Sequence, residues 1–167
     1  MKIDVKPGDL FKLEEMVSNP EEYVTAQCIA SDLGLFGGIA HEFDLKRDIK
    51  KKLRDWAEGN HQIQVKCPYD SDYGSAIPAI VGHNVKIENV YNLVTKTWTF
   101  EKPAYKDLVS CLNELRSEML KSDELFLAIP KIGCGIDGLQ WDVVHQLING
   151  IFFDTEISIL VVEFRHD

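Results

Sequence analysis

Three short apolar runs, at residues 90–95 (VYNLVT), 125–129 (LFLAI) and 157–162 (ISILVV), constrain this chain more than any other feature of its sequence. Each is of strand length and apolar on both of its faces, the pattern of a strand in the covered middle of a sheet. The segments between them have helical spacing. One helix is predicted to start near Pro103 and run through AYKDLVSCLNELRSEML, with Leu108, Cys111, Leu112, Leu115 and Met119 turned inward, and another over residues 140–153. Upstream, residues 2–5 and 23–29 (YVTAQCI) read as strands. Residues 39–57 (IAHEFDLKRDIKKKLRDWA) read as one amphipathic helix burying Ile39, Phe43, Ile49, Leu53 and Trp56, with Lys50, Lys51 and Lys52 on its solvated face. Residues 60–88 are expected to be strand pieces joined by loops. Strands alternating with helices predict an α/β layer fold.

A length of 167 residues fits one domain spanning residues 1–167, and 45% apolar with 27% charged residues is the composition of a chain that folds unaided. A net charge of −9 argues against an extended surface that tracks nucleic-acid phosphates, although contact with one modified nucleotide stays open. No apolar stretch has the length of a signal peptide's core or a membrane span, so no membrane partner and a cytoplasmic location are expected. Cys28, Cys67, Cys111 and Cys134 lack the paired spacings of a zinc site and read as reduced thiols. The five histidines form no two-ligand helical spacing, so no metal is expected.

In open α/β sheets ligands gather beyond the carboxyl ends of the strands, which brings the loops after residues 29, 95 and 129 towards one crevice. Two of these are rich in glycine. Gly34-Leu35-Phe36-Gly37-Gly38-Ile39-Ala40 and Pro130-Lys131-Ile132-Gly133-Cys134-Gly135-Ile136-Asp137-Gly138 each join a strand to a helix. Such loops either make tight turns or present amide groups and a helix N-terminus to phosphate, and two of them in one crevice suit a diphosphate. Asp137 can be a helix cap or a base, and Lys96 can be a solvated strand end or a nucleophile.

The segment PKIGCGIDGLQW, together with LVTK (residues 93–96), KPAY (102–105), VKPGDLF (5–11), QCIAS, GGIA and the closing ISILVVEF, resembles the macrodomain of terminal ADP-ribose protein glycohydrolases over most of the chain. The resemblance implies a three-layer α/β/α sandwich with a mixed central sheet and ADP-ribose lying across the two glycine loops. It implies that Lys96 attacks the anomeric carbon of the distal ribose to form a covalent lysyl intermediate, with Asp137 as its acid/base partner. An attacking amine must be neutral, whereas a free lysine has a pKa near 10.4; burial disfavours the charged form.

The same resemblance assigns Asp9 and Leu10 to the adenine, Gly37, Gly38 and Ile39 to one side of the diphosphate, and Lys131, Ile132, Gly133, Cys134, Gly135 and Ile136 to the other. Phe164 falls where a side chain lies against adenine, and an aromatic there can stack on the base; the other reading is a core or surface phenylalanine. Ala30 stands where characterised members of the family can have a ligand-touching serine, and Phe36 where smaller residues are usual, a difference that bears on the crevice mouth. No cofactor is implied, ADP-ribose being ligand or product. The expected partner of a monomeric chain is a protein ADP-ribosylated on Glu or Asp, with ADP-ribosylated DNA, a non-catalytic ADP-ribose reader and a thiol enzyme built on Cys134 as the other readings.

Overall fold

The structure, a computed structural model, describes residues 1–35, 37–58 and 79–164; Phe36, Cys67 and most of the 60–88 segment lie outside them. Its strands are β1 (Lys2–Gly8), β2 (Tyr23–Ala30), β3 (Asn84–Ile87), β4 (Val90–Lys96), β5 (Phe126–Ile129) and β6 (Ser158–Phe164). Its α-helices are α1 (Gly38–Arg47), α2 (Ile49–Glu58), α3 (Tyr105–Lys121) and α4 (Trp141–Phe152), with 3-10 turns over Leu10–Glu15 and Pro20–Glu22. The strands form one sheet in the order β1-β6-β5-β2-β4-β3, parallel throughout except where β3 runs against β4.

Alternation along the strands makes three layers. Val24 and Ala26 of β2, Tyr91 and Leu93 of β4, and Ile159 and Val161 of β6 pack under α3 and α4 with Leu108, Leu112, Leu115, Val144, Ile148 and Phe152. Their neighbours Tyr23, Ile29, Val90, Val94, Leu160 and Val162 face the other way, onto Phe43, Ile49 and Leu53 of α1 and α2 and Leu10 and Leu13 of the first turn. Each fully buried aliphatic side chain contributes about 1.5–3 kcal/mol, which is what holds the helices to the sheet. The α/β/α sandwich with a mixed sheet is therefore the fold of this chain, as the resemblance implies.

Two elements differ from the sequence reading. The single helix predicted over residues 39–57 is two, because Asp48 adopts a left-handed conformation (φ 54°) between Arg47 and Ile49. Asp44 closes the break: its carbonyl accepts from the Asp48 amide at 2.9 Å, and its carboxylate accepts from the Lys50 amide at 3.1 Å. Aspartate tolerates this conformation better than a bulky residue does; Phe43, Ile49 and Leu53 are buried as predicted, while Ile39 and Trp56 are only partly buried. Strand β1 runs on to Gly8 through Pro7, which pairs in register with Glu163. That is tolerable because β1 is an edge strand, where a proline's missing N–H need not break a ladder.

Candidate active site

Strands β2, β5 and β4 lie side by side in the middle of the sheet, so the two glycine loops and Lys96 emerge next to one another at their carboxyl ends. The register of β2 against β4 shifts at this end: Ile29 pairs with Val94 but Ala30 pairs with Lys96, leaving Thr95 as an extra residue. A bulge of this kind re-aims the side chain that follows it. Here it sets Lys96 beside Ala30, and the Ser31 amide donates to the Lys96 carbonyl at 2.8 Å.

The crevice has two connected parts. One, of about 210 Å3, is lined by Cys28, Ala30, Leu35, Lys96, Thr99 and Asp137, with the glycine loops along its sides. The other, of about 790 Å3, is lined by Asp9, Leu10, Phe11, His41, Cys134 and Phe164. Gly38, Ile39, Pro130, Lys131 and Gly135 line both, so the loops form the waist between the two. Gly37, Ile132, Gly133 and Ile136 line the smaller part. The residues that the resemblance assigns to the ligand and to the chemistry thus line one or both parts of this crevice, while Phe36 lies outside the described residues.

At the floor of the smaller part Lys96 Nζ lies 2.7 Å from Asp137 Oδ1, with the side chains 11% and 16% exposed. Lys96 is therefore not a solvated strand end. Nor is Asp137 a helix cap: the N-cap of α4 is Gln140, three residues on, and the carboxylate turns to the lysine instead. The two thiols nearby are held in their neutral form. Burial, with the Asp137 charge adding to it, pushes the Cys28 thiol far above its ordinary value, and burial also raises that of Cys134. Neutral thiols are poor nucleophiles, which counts against the reading built on Cys134.

The sides of the crevice offer backbone donors. The amides of Gly38, Ile39 and Ala40 open α1 and have no intrahelical acceptor, the condition of any helix start. Opposite them, the amides of Gly135, Ile136 and Asp137 have no backbone acceptor among the described residues. Gly133, at φ +73°, makes the turn that exposes them; a Cβ there would meet Leu139 Cδ1 at 2.8 Å. The second loop therefore needs glycine at this position for both conformation and space.

In the larger part, Asp9 caps the first turn by accepting from the Phe11 amide at 2.9 Å, and Leu10 is buried, presenting only its edge to the crevice. Phe164 is 65% exposed at the end of β6, so it is not a core residue. Lys131 pairs with Glu163 at 3.4 Å, and its ammonium lies 5.9 Å from the centroid of the Trp141 ring.

Sequence reasoning missed Asp32. Its carboxylate accepts from the Gly34 amide at 3.0 Å, the Thr99 amide at 2.8 Å and the Thr99 hydroxyl at 2.6 Å, tying the first glycine loop to the segment that follows Lys96. The signal was present: an Asp two residues before a Gly, just after a strand, is the pattern of a side chain that closes its own turn. Leu33 and Leu35 flank that turn at positive φ (58° and 52°) and are both buried, so packing holds a conformation that leucine otherwise avoids.

The Macro domain family model matches residues 48–148 of the chain. The chain is 30% identical over 160 residues to the human ADP-ribose glycohydrolase OARD1, covering 96% of this chain and 90% of the relative. The Bos taurus protein of the same name is 29% identical over the same length and shares. Among solved structures, the macrodomain of Mycobacterium tuberculosis DarG superposes with a TM-score of 0.73 at 16% identity, covering 98% of each chain. Thermosipho africanus DarTG, solved in complex with ADP-ribose, gives a TM-score of 0.66 at 17% identity, covering 98% of this chain and 42% of that one. With its sheet order, its paired glycine loops and these relatives in agreement, the chain belongs to the Macro domain family.

Proposed function

We propose that this protein is an ADP-ribosyl hydrolase that frees mono-ADP-ribose from acidic side chains of proteins, with Lys96 as nucleophile and Asp137 as acid/base. The observation that carries the reading is the 2.7 Å contact between Lys96 Nζ and Asp137 Oδ1 at the crevice floor. The relatives named as ADP-ribose glycohydrolases over nearly the whole chain support it.

On this reading the adenosine end of ADP-ribose occupies the larger part of the crevice, between Asp9, Leu10 and Phe164. The diphosphate lies at the waist, where the amides opening α1 and those of Gly135–Asp137 converge on it from two sides, an arrangement suited to anions. Gly37, Gly38, Ile39, Lys131, Ile132, Gly133, Cys134 and Ile136 form the walls, and Ala30 lies beside the distal ribose. That leaves the anomeric carbon of the distal ribose at Lys96.

The amine must first lose a proton, and Asp137 is the group in contact to take it. The bond from Nζ to the anomeric carbon then forms as the bond from that carbon to the ester oxygen breaks, the electron pair leaving with the target's carboxylate. Asp137 next gives that proton to the ring oxygen as the bond from the anomeric carbon to it breaks and the sugar opens to an imine on Lys96. Water adds at the same carbon, and the lysine leaves with a proton returned through Asp137. One water is consumed, and ADP-ribose and a free carboxylic acid are produced. A carboxylate leaves without needing a proton, which suits a site with one acidic partner.

The test is release of ADP-ribose from a carrier mono-ADP-ribosylated on glutamate, by the unaltered chain and by Lys96→Ala. Release that disappears in the variant supports the reading. Binding of ADP-ribose with no release by the unaltered chain overturns it in favour of a reader or of another linkage, with ADP-ribosylated DNA as the next substrate.

A further inference from the structure

The segment that follows Lys96 returns to the second glycine loop at two further points. Lys102 Nζ donates to the Ile136 carbonyl at 2.5 Å, and the Tyr105 hydroxyl accepts from the Gln140 amide at 3.0 Å. Asp137 lies between these two anchors and meets Lys96 from the same segment. A stretch of five residues, 136–140, is thus held at its first residue by Lys102, at its second by Lys96 and at its last by Tyr105.

The loop needs such a hold. Among the described residues its own backbone closes with Cys134 N to Lys131 O at 3.0 Å, Gly138 N to Gly135 O at 3.1 Å and Leu139 N to Gly133 O at 2.9 Å. None of these bonds uses the C=O or N–H of the peptide unit between Ile136 and Asp137, the central unit of the turn from Gly135 to Gly138, and the Ile136 side chain is 64% exposed, so burial does not orient it either. The Gln140 amide, just ahead of α4, has no backbone acceptor among the described residues and is met instead by the Tyr105 hydroxyl.

We infer that Lys102 and Tyr105 are positioning residues, a two-point clamp that holds the 136–140 segment so that the Asp137 carboxylate stays against Lys96. Lys102 acts through the peptide unit joined to Asp137, and Tyr105 through the helix start three residues further on. Neither touches the reacting atoms. The inference rests on the reading of Asp137 as the acid/base of the hydrolysis and adds the residues that place it.

The full chain is compared with Lys102→Met, Lys102→Arg, Tyr105→Phe and the double variant Lys102→Met/Tyr105→Phe. Three measurements are made: kcat and KM for release from the glutamate-linked carrier, the dissociation constant of free ADP-ribose, and amide hydrogen exchange across residues 133–140. A displacement of about 1 Å in a catalytic group is enough to slow a reaction by up to roughly 10²-fold. Lys102→Met is therefore expected to lower kcat roughly 10- to 100-fold with KM little changed. Exchange in 136–140 should rise while that of β5 stays as it was. Lys102→Arg keeps a donor for the same carbonyl and should recover most of the rate. The double variant should lose less than the two single losses combined, because both residues hold one segment.

An unchanged kcat in both single variants, or unchanged exchange across 136–140, overturns the clamp. So does a fall in rate matched by an equal loss of ADP-ribose binding and a general rise in exchange, which marks ordinary destabilisation. Should the unaltered chain release nothing from the carrier, the functional reading fails by itself, and the exchange measurement still decides whether the two residues hold the loop.

Discussion

Gly37 and Ile136 face each other across the crevice so closely that a Cβ on the glycine would stand 2.9 Å from Ile136 Cδ1. The Gly37 backbone is extended (φ −150°), a conformation open to any residue, so what the position requires is space. Gly37→Ala should fold with an unchanged melting temperature, since the exposed Ile136 side chain can swing outward. Its affinity for ADP-ribose should fall roughly tenfold, or about 1.4 kcal/mol, as calorimetric titration would read.

Gly133 gives the opposite result. Its φ of +73° and the 2.8 Å approach of Leu139 Cδ1 mean that Gly133→Ala strains the backbone as well as the packing. The left-handed conformation alone costs about 1–2 kcal/mol for a residue with a Cβ. A lower denaturant midpoint is expected along with any loss of binding.

The Lys96–Asp137 pair makes a prediction about stability distinct from its chemistry. Removing one member of a fully buried pair costs about 3–5 kcal/mol because the other charge is stranded. This pair opens onto the crevice, with side chains 11% and 16% exposed, so Lys96→Met should cost about 2 kcal/mol, below that range. Lys96→Met/Asp137→Asn should recover part of the loss while remaining inactive, as denaturation curves and release assays on the same samples would show. Asp137→Asn alone should slow release by roughly 10²–10⁴-fold.

Asp32→Ala removes the acceptor of three donors at once. Leaving such donors unpaired where they are partly buried costs about 1–3 kcal/mol. Because these bonds join the first glycine loop to Thr99, the variant should also weaken ADP-ribose binding. Thr99→Ala, which removes one of the three donors, should show a smaller effect on both readouts.

Away from the crevice, Glu118 on α3 titrates at about 7, raised first by burial and then by its hydrogen bond and charge contact with Glu114, with Glu124 adding and Lys86 opposing. The folded chain therefore holds this proton where the unfolded chain, near 4.5, has lost it. Stability from the group is present below about 4.5 and declines as pH rises through about 7. Glu118→Gln keeps the neutral form at every pH. Its melting temperature relative to the unaltered chain should climb between those limits and level off above them.

Much of this arrangement is legible in the sequence. The runs VYNLVT and ISILVV are apolar on both faces because both are covered, by α3 and α4 on one side and by α1, α2 and the first 3-10 turn on the other, and that feature survives without knowledge of the partners. Asp48 is less legible: on either side of it the apolar spacing continues, and the break is made by local bonds from Asp44 that periodicity does not register. Lys96 and Asp137 could be named from motifs, but their contact joins residues 41 positions apart, which only the β5-β2-β4 order brings about. The bulge at Thr95 is of the same kind, a property of pairing between strands and of neither strand alone.

The placement of β1 makes the two ends of the crevice unequal in endurance. Among the described strands β1 pairs only with β6, at the sheet's edge, and the loop carrying Asp9 and Leu10 hangs from it opposite Phe164. Edge elements open locally at lower free energy than central ones. As the molecule warms, fraying of β1 would dissolve the rim formed by Asp9, Leu10 and Phe164 while Lys96 and Asp137, rooted in central strands, still face each other. Over that interval the chain would keep its reactive pair and lose its grip on the far end of a long ligand.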